Sequence, residues 1–144
     1  MHLSKFTDYA LRVCLYLAAH EGRLVPIAEI AGAHRISHPN LMKVVKRLVD
    51  GGFVSSTRGR SGGVRLSRPA TEIRVGTVAH LIEGDPPLVD CSSCILKASC
   101  GLTRALAEAK RGFYDFLDGF TLAEALAAHP RTLPILLGEA PGAR

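Results

Sequence analysis

The order of elements between residues 25 and 67 constrains the fold most strongly. Two short helical patterns are separated by a tight break at residues 32–36, and Ser37 is predicted to cap the second helix, which stops at residues 50–52. Two extended stretches then flank a glycine-rich turn at residues 58–62, which predicts a β-hairpin. A helix pair with a tight break, followed directly by a hairpin, predicts a winged helix-turn-helix.

Apolar residues at helical spacing predict further helices on both sides of this unit. Ser4 is expected to cap a first helix that ends near residue 21, and a helix that contains Val78 is expected to close at residues 84–87. A long helix follows, and its single apolar stripe comprises Leu102, Leu106, Ala109, Phe113 and Phe116 or Leu117. A short helix and an apolar tail that folds back complete the chain, and residues 141–144 are expected to be frayed.

The long helix is predicted to join two copies of the chain. Its small residues, Ala105, Ala107 and Gly112, would let a partner helix approach closely, so we predict a homodimer through this helix. The alternative is that the apolar stripe packs only on its own domain. Three parts are expected. Residues 1–84 form a winged helix-turn-helix DNA-binding domain, residues 85–101 form a loop that contains three cysteines and is expected to bind a metal cluster, and residues 102–144 form a dimerisation helix and a C-terminal tail. The predicted fold class is mainly α with a small β-hairpin wing.

Positive charge is concentrated in the first half of the chain. Residues 1–74 carry 12 Lys and Arg against 5 Asp and Glu, a net charge of +7, whereas residues 75–144 carry 6 against 8, a net charge of −2. Such a basic half favours binding to nucleic acid, although a basic surface is also common on proteins that do not bind it. The outer face of the second helix of the pair carries side chains that suit base edges and phosphates, namely His38, Asn40, Lys43, Lys46 and Arg47. At the hairpin tip, Arg58 and Arg60 are placed to enter a minor groove.

Three of the four cysteines, Cys91, Cys94 and Cys100, lie close together, whereas Cys14 stands apart and is expected in the core. A segment this short and polar can wrap one soft metal centre, and three thiolates leave one coordination position open. Two alternatives stay open: a structural zinc site completed by a His or Asp, and a thiol–disulfide catalyst built on the first two cysteines of the loop. The catalyst lacks its usual setting, a helix N-terminus in an alternating strand–helix fold.

Several classes of protein are disfavoured by what the sequence lacks. No apolar run reaches the length of a membrane span, and the first residues lack the apolar core of a signal peptide, so we expect a cytoplasmic protein that does not bind membranes. In a reducing compartment clustered cysteines favour metal binding over disulfides. We find no Ser/His/Asp pattern and no glycine-rich phosphate loop, so an enzyme is not expected.

Three segments of the chain together carry a family resemblance: residues 6–12 read FTDYALR, residues 58–66 read RGRSGGVRL, and residues 100–102 read CGL. Jointly they resemble the iron–sulfur winged-helix repressors of bacteria, the group of IscR, NsrR and RirA, over nearly the whole chain. The opening segment is most similar to that of the nitric-oxide-sensing repressor NsrR. One departure is the gap of two residues between Cys91 and Cys94, where members of the group usually have four or more.

The resemblance implies a dimeric repressor that binds operator DNA and carries an iron–sulfur cluster. It implies that Cys91, Cys94 and Cys100 of one subunit bind the cluster and that Asp8, from the first helix of the other subunit, supplies a fourth ligand. A 4Fe-4S cluster is favoured over a 2Fe-2S cluster, with nitric oxide as the expected signal. The residues that match the DNA contacts of the group are Ser37, His38, Asn40, Lys43, Arg58 and Arg60, and the helical pattern adds Lys46.

Alternatives to this interpretation also stay open. An iron-responsive repressor with the same fold and cluster is the nearest, and a winged-helix regulator whose loop is held by zinc comes next. Asp8 itself has a simpler role available, because a carboxylate in the first turns of a helix stabilises the helix dipole or pairs with Arg12 four residues on.

Overall fold

The computed structural model describes residues 2–97 and 99–139, and it confirms the predicted fold class, mainly helical with a small hairpin. The helices are α1 (Lys5–Ala19), α2 (Ile27–His34), α3 (His38–Asp50), α4 (Val75–Glu83), α5 (Leu102–Asp118), α6 (Leu122–Ala127) and α7 (Thr132–Leu136). The strands are β1 (Val54–Thr57) and β2 (Gly63–Leu66), and a single 3₁₀ turn spans Ala70–Glu72. The predicted fraying of residues 141–144 lies outside the described residues.

Helix α1 forms the centre of the molecule, and it begins where the sequence predicted, directly after Ser4. The side chain of Ser4 accepts a hydrogen bond from the backbone N–H of Thr7 at 3.2 Å, as an N-cap should. The inner face of α1 is fully buried at Val13 and Cys14, against apolar residues of α3 such as Leu41. Burying one such aliphatic side chain stabilises the fold by about 1.5–3 kcal/mol. The prediction that Cys14 lies in the core is confirmed.

The hairpin is antiparallel, with Val54 opposite Leu66 and Thr57 opposite Gly63. It is attached to the helical core by a further pair of backbone hydrogen bonds that the sequence did not predict. Val25 donates to the carbonyl of Val64 at 2.8 Å, and Val64 donates back to the carbonyl of Val25 at 2.9 Å. The segment before α2 therefore acts as a one-residue third strand that fixes the wing against the helices.

The C-terminal part of the described chain packs back on α1. Helix α4 lies against α1, and α5 crosses α4 so closely at Gly76 that an added Cβ would lie 2.5 Å from the carbonyl oxygen of Tyr114. Helix α6 buries Leu122 completely in the core that α1 and α3 form, and Thr121 begins α6 with a capping box that involves Glu124. Helix α7 follows α6 and also contacts α1, so the apolar tail folds back as expected.

The outer side of α5 is left uncovered in the protomer. None of its residues is fully buried, although α5 carries the predicted apolar stripe. Leu102 is 66% exposed and Phe116 is 70% exposed. Among the described residues, no helix combines the length and the apolar character needed to cross a membrane.

Candidate DNA-binding surface and cysteine loop

The N-terminal half of α3 presents its polar side chains to solvent. Ser37 occupies the N-cap position, and His38 and Lys43 are exposed, while Asn40 is half-buried. The opposite face of the helix is buried in the core, which fixes the direction of the polar face. In a helix-turn-helix, the residues at the start of the second helix contact base edges. The surface that the sequence predicted for DNA contact is therefore accessible.

Two neighbouring basic residues at the end of α3 differ in their partners. Lys46 makes an exposed ion pair with Asp50 on the same helix at 2.8 Å, which contributes little and leaves the ammonium available to another anion. Arg47, which the helical pattern placed on the DNA-facing side, instead points its guanidinium at α4. Its Nη1 donates to the carbonyl of Ile82 at 2.8 Å and its Nη2 to the carbonyl of Leu81 at 2.9 Å. Arg47 is exposed, as the helical pattern predicts, but within the protomer its guanidinium is engaged with α4.

The wing presents the two arginines that the sequence singled out, and one more. Arg58 and Arg60 are exposed in the turn between the strands, which closes with a hydrogen bond from Gly62 to the carbonyl of Gly59 at 3.0 Å. Arg65 is also exposed, because alternate residues of β2 point outward while Val64 points into the core. The strand alternation visible in the sequence was sufficient to find Arg65, but the prediction considered only the tip of the hairpin.

The break between α2 and α3 contains Arg35 in the left-handed region, with φ 54° and ψ 43°. Residues other than Gly rarely adopt this conformation, which costs on the order of 1 kcal/mol for a residue of this size. The side chain of Arg35 is exposed between the two helices of the pair, beside the start of α3. The left-handed residue ends α2, because its N–H donates to the carbonyls of Ala31 and Gly32, and its exposed side chain suggests the hypothesis of a phosphate contact.

Replacing Arg35 by Gly should therefore change stability and DNA binding in opposite directions. Arg35→Gly relieves the backbone strain, and we expect the free energy of unfolding to rise by about 1 kcal/mol. DNA affinity should fall and its salt slope should decrease by about 0.9, the value for one lost phosphate contact. Urea unfolding and salt-dependent DNA titration measure the two effects. Arg35→Lys, which keeps both charge and strain, is the control, and an unchanged affinity of Arg35→Gly would contradict a role in DNA binding.

The cysteine loop, residues 85–101, joins α4 to α5, and its described residues 91–97 form tight turns. Cys94 donates its backbone N–H to the carbonyl of Cys91 at 3.3 Å, and the backbone N–H of Leu96 donates to Sγ of Cys94 at 3.4 Å. Cys91 and Cys100 are half-buried and Cys94 is exposed, and all three thiols are free. Within residues 2–97 and 99–139, no group of three or more His, Cys, Asp or Glu side chains is already gathered around one point.

The donor set of this loop nevertheless fits a soft metal centre. Three free thiols lie on one short segment whose described residues form no helix or strand, so this backbone is not held by a regular element that would keep the thiols from turning toward a common point. A backbone N–H already donates to Sγ of Cys94, and hydrogen bonds to sulfur are one of the means by which proteins tune iron–sulfur sites. The apolar neighbours Ile95, 98% exposed, and Leu96 lie uncovered beside the thiols. Cys14 is fully buried in the core of α1, where burial raises the pKa of its thiol to about 12, and it is not part of this loop.

Asp8 makes a two-point ion pair with Arg12 on the same helix. Arg12 Nε donates to Oδ1 at 2.9 Å and Nη2 lies 2.8 Å from Oδ2, while the two side chains are 47% and 45% exposed. Within the protomer Asp8 thus has the simpler role that the sequence left open. An exposed pair of this kind contributes at most about 1 kcal/mol, so the carboxylate can exchange it for another partner at little cost. The structure does not place Asp8 among the cysteines of its own chain.

The winged helix, its basic face and the cysteine loop together define the class of a DNA-binding transcription regulator. The sequence model of one protein family, Rrf2, matches residues 3–128 of this chain. That family is described as iron-dependent transcriptional regulators. The chain therefore belongs to the Rrf2 family. Regulators of this family bind DNA and form dimers.

Solved structures of similar fold agree with this assignment. CymR (YrzC), the global cysteine regulator of B. subtilis, is 24% identical with a TM-score of 0.74, and the match covers 90% of this chain and 98% of CymR. IscR of T. potens is 28% identical with a TM-score of 0.71, and the match covers 89% and 88% of the two chains. The oxidized form of CymR from Staphylococcus aureus is 28% identical with a TM-score of 0.69, over 85% and 93%.

Proposed function

We propose that this Rrf2 regulator is a repressor that senses nitric oxide through an iron–sulfur cluster, and that nitrosylation or loss of the cluster relieves repression. The observation that supports this most is the set of three free thiols, Cys91, Cys94 and Cys100, on one loop behind a winged helix. The iron-dependent character of the family adds to it. A 4Fe-4S cluster is the form we favour, with three thiolates and one further ligand at its four iron sites.

The chain's own residues divide the work of this function. The three thiolates would hold the cluster, and Asp8 of the partner subunit would supply the fourth ligand. When bound, the cluster would supply one iron with an oxygen ligand. Oxygen binds this iron less well than sulfur does, so this iron would be open to a small diatomic molecule. Asp8 would have to leave Arg12, which its exposed ion pair permits. This ligand set would link the first helix of one subunit to the cysteine loop of the other.

Operator binding is assigned to the surface described above. The start of α3 would read base edges with Ser37, His38, Asn40 and Lys43, while Lys46 would contact a phosphate. Arg58 and Arg60 of the wing would enter the neighbouring minor groove, where a narrow, electronegative groove favours arginine. Two such surfaces in a dimer must stand about 34 Å apart to meet successive major grooves. A change at the dimer interface can therefore abolish specific binding without changing either surface.

The dimer is proposed to form through the exposed face of α5. Replacing Phe116 by Glu should convert the dimer to a monomer, because the ring is 70% exposed in the protomer and a charge would be buried at the interface. Light scattering should show the mass of the variant halved, with helical circular dichroism unchanged. Arg111→Glu, which puts the same side chain on α5 but off the apolar stripe, is the control. A fully dimeric Phe116→Glu protein would contradict this interface.

An iron-responsive repressor is the second candidate, and the description of the family as iron-dependent favours it. The two functions share the fold and the ligand set but differ in the signal. Operator affinity of the cluster-loaded dimer should be measured after one equivalent of nitric oxide per cluster, and separately after mild chelation without nitric oxide. Release by nitric oxide before any iron leaves the protein supports nitric-oxide sensing. Release only when iron is removed would contradict it and support the iron sensor.

A further inference from the structure

The last turn of α3 is tied to the last turn of α4, the helix from which the cysteine loop emerges. The guanidinium of Arg47 donates to the carbonyls of Ile82 at 2.8 Å and Leu81 at 2.9 Å. The last carbonyls of a helix have no partner within it, and the negative end of the helix dipole favours a cation there. A planar fork on two successive carbonyls fixes the position and the rotation of one helix end against the other, which a flexible ammonium does not.

A second contact tightens the same junction. Gly51 caps the C-terminus of α3, and a Cβ at this position would overlap Cδ2 of Leu81. The backbone at the end of α3 therefore lies directly against a side chain of α4. Hydrogen bonds and van der Waals contact act at one place, so the two helix ends are expected to move together.

The beginning of the cysteine loop is held from the other side by α5. Lys110 lies 2.5 Å from the carboxylate of Asp85 and also donates to the carbonyl of Pro86. The side chain of Lys110 is only 13% exposed. Two residues before Asp85, the carboxylate of Glu83 accepts a hydrogen bond from the N–H of Ser4 at 3.0 Å, at the start of α1. The loop thus emerges from a short segment that contacts α1, α3 and α5.

We propose that Arg47 is the positioning residue through which the state of the cysteine loop reaches the recognition helix. This inference rests on the proposed function, cluster-dependent DNA binding. His38 lies about 13 Å along the helix from Arg47, at 1.5 Å per residue, so a tilt of about 5° at this anchor moves the DNA-reading end by roughly 1 Å. Hydrogen bonds to base edges depend on distances within a few tenths of an ångström, and a shift of that size disrupts them.

The test compares the operator affinity of cluster-loaded and cluster-free protein in the wild type, Arg47→Met and Lys46→Met. Arg47→Met keeps the aliphatic stem and removes the fork. We expect a ratio of about tenfold or more between the two forms of the wild type to fall below about twofold in Arg47→Met, with an unchanged salt slope. Lys46→Met, which removes the neighbouring charge, should weaken both forms by the same factor and lower the slope by about 0.9.

Two results would overturn the proposal. In the first, Arg47→Met keeps the wild-type ratio of operator affinities between the cluster-loaded and cluster-free forms. In the second, Arg47→Met loses the same affinity in both forms and has a lower salt slope, which would make Arg47 a DNA contact. A wild type that binds equally well with and without cluster would instead refute the proposed function. Should Arg47→Met lose its helical circular dichroism, Arg47→Lys takes its place. It keeps the charge but not the fork, and the same fall in the ratio is expected.

A second measurement needs no cluster and therefore tests Arg47 on its own. Lys110→Met releases Asp85 from α5, and operator affinity of cluster-free protein is measured for Lys110→Met, Arg47→Met and the double variant. The proposal predicts a change of about threefold or more from Lys110→Met alone, and less than about 1.5-fold when Arg47 is already replaced. Additive effects would overturn the proposal, as would an unchanged affinity of the single Lys110 variant.

Discussion

Replacing any one of Cys91, Cys94 or Cys100 by Ala is expected to remove the iron–sulfur absorbance of anaerobically purified protein. These three thiols are all the cysteine ligands of the loop, so each substitution leaves two where iron–sulfur clusters are usually held by four protein ligands. We expect less than about one tenth of the wild-type iron and sulfide per chain, because ligand loss in such sites lowers metal affinity by more than the 10–100-fold typical of outer-shell changes. Visible absorbance and elemental analysis measure the loss.

Cys14→Ala is the matched control for these variants. Cys14 is fully buried in α1 and its pKa is raised to about 12 by burial, so its thiol is protonated and inaccessible. The variant should retain full iron and sulfide content and lose only about 1 kcal/mol of stability from the small cavity. A Cys94→Ala protein with wild-type iron and sulfide would contradict the ligand set.

Replacing Gly63 by Ala is expected to detach the wing from the helical core. A Cβ at Gly63 would lie 2.7 Å from the carbonyl oxygen and 2.8 Å from the carbonyl carbon of Val25. These are backbone atoms of the bridge to Val64, so they cannot move aside without breaking its two hydrogen bonds. We expect the free energy of unfolding to fall by about 2–4 kcal/mol, and specific DNA binding to be lost because the wing arginines are no longer positioned.

Urea unfolding and operator titration measure these two effects of Gly63→Ala. Gly32→Ala is the control, since Gly32 lies inside α2 with open space around it. There the added methyl group should be neutral or stabilise the helix by up to about 1 kcal/mol. A Gly63→Ala protein with wild-type stability and DNA affinity would show that the wing does not depend on its contact with Val25.

The helices and the hairpin could be predicted from the sequence because their signals are local. The apolar spacing of α3 and the glycine that ends it, Gly51, are neighbours in the sequence. The same is true of α1 and its cap, Ser4. The bridge between Val25 and Val64 could not be predicted in this way, because it joins residues far apart in sequence and involves only backbone atoms. Such pairing depends on the packed fold rather than on any residue type.

The candidate site was predictable to a different degree in each part. Spacing alone singled out the cysteine loop, and its three thiols are accessible as a ligand set requires. Asp8 was predicted as a cluster ligand only from the family resemblance. Its surroundings in the sequence gave no such signal, because they are explained by an ion pair with Arg12. The contact of Arg47 with α4 could not be predicted, because a helical pattern gives the direction of a side chain but not what it contacts, and the carbonyls of α4 belong to a distant part of the chain.

The most direct test of a cluster-controlled repressor is operator binding measured against cluster content in a single oxygen-free preparation. Iron, sulfide and zinc are determined on each sample, and the fraction of operator bound is followed as the cluster is loaded and then exposed to nitric oxide. We predict that specific binding rises in proportion to iron and sulfide, and that nitric oxide abolishes it. Colourless protein with stoichiometric zinc, or binding that does not change with cluster content, would contradict the proposed mechanism.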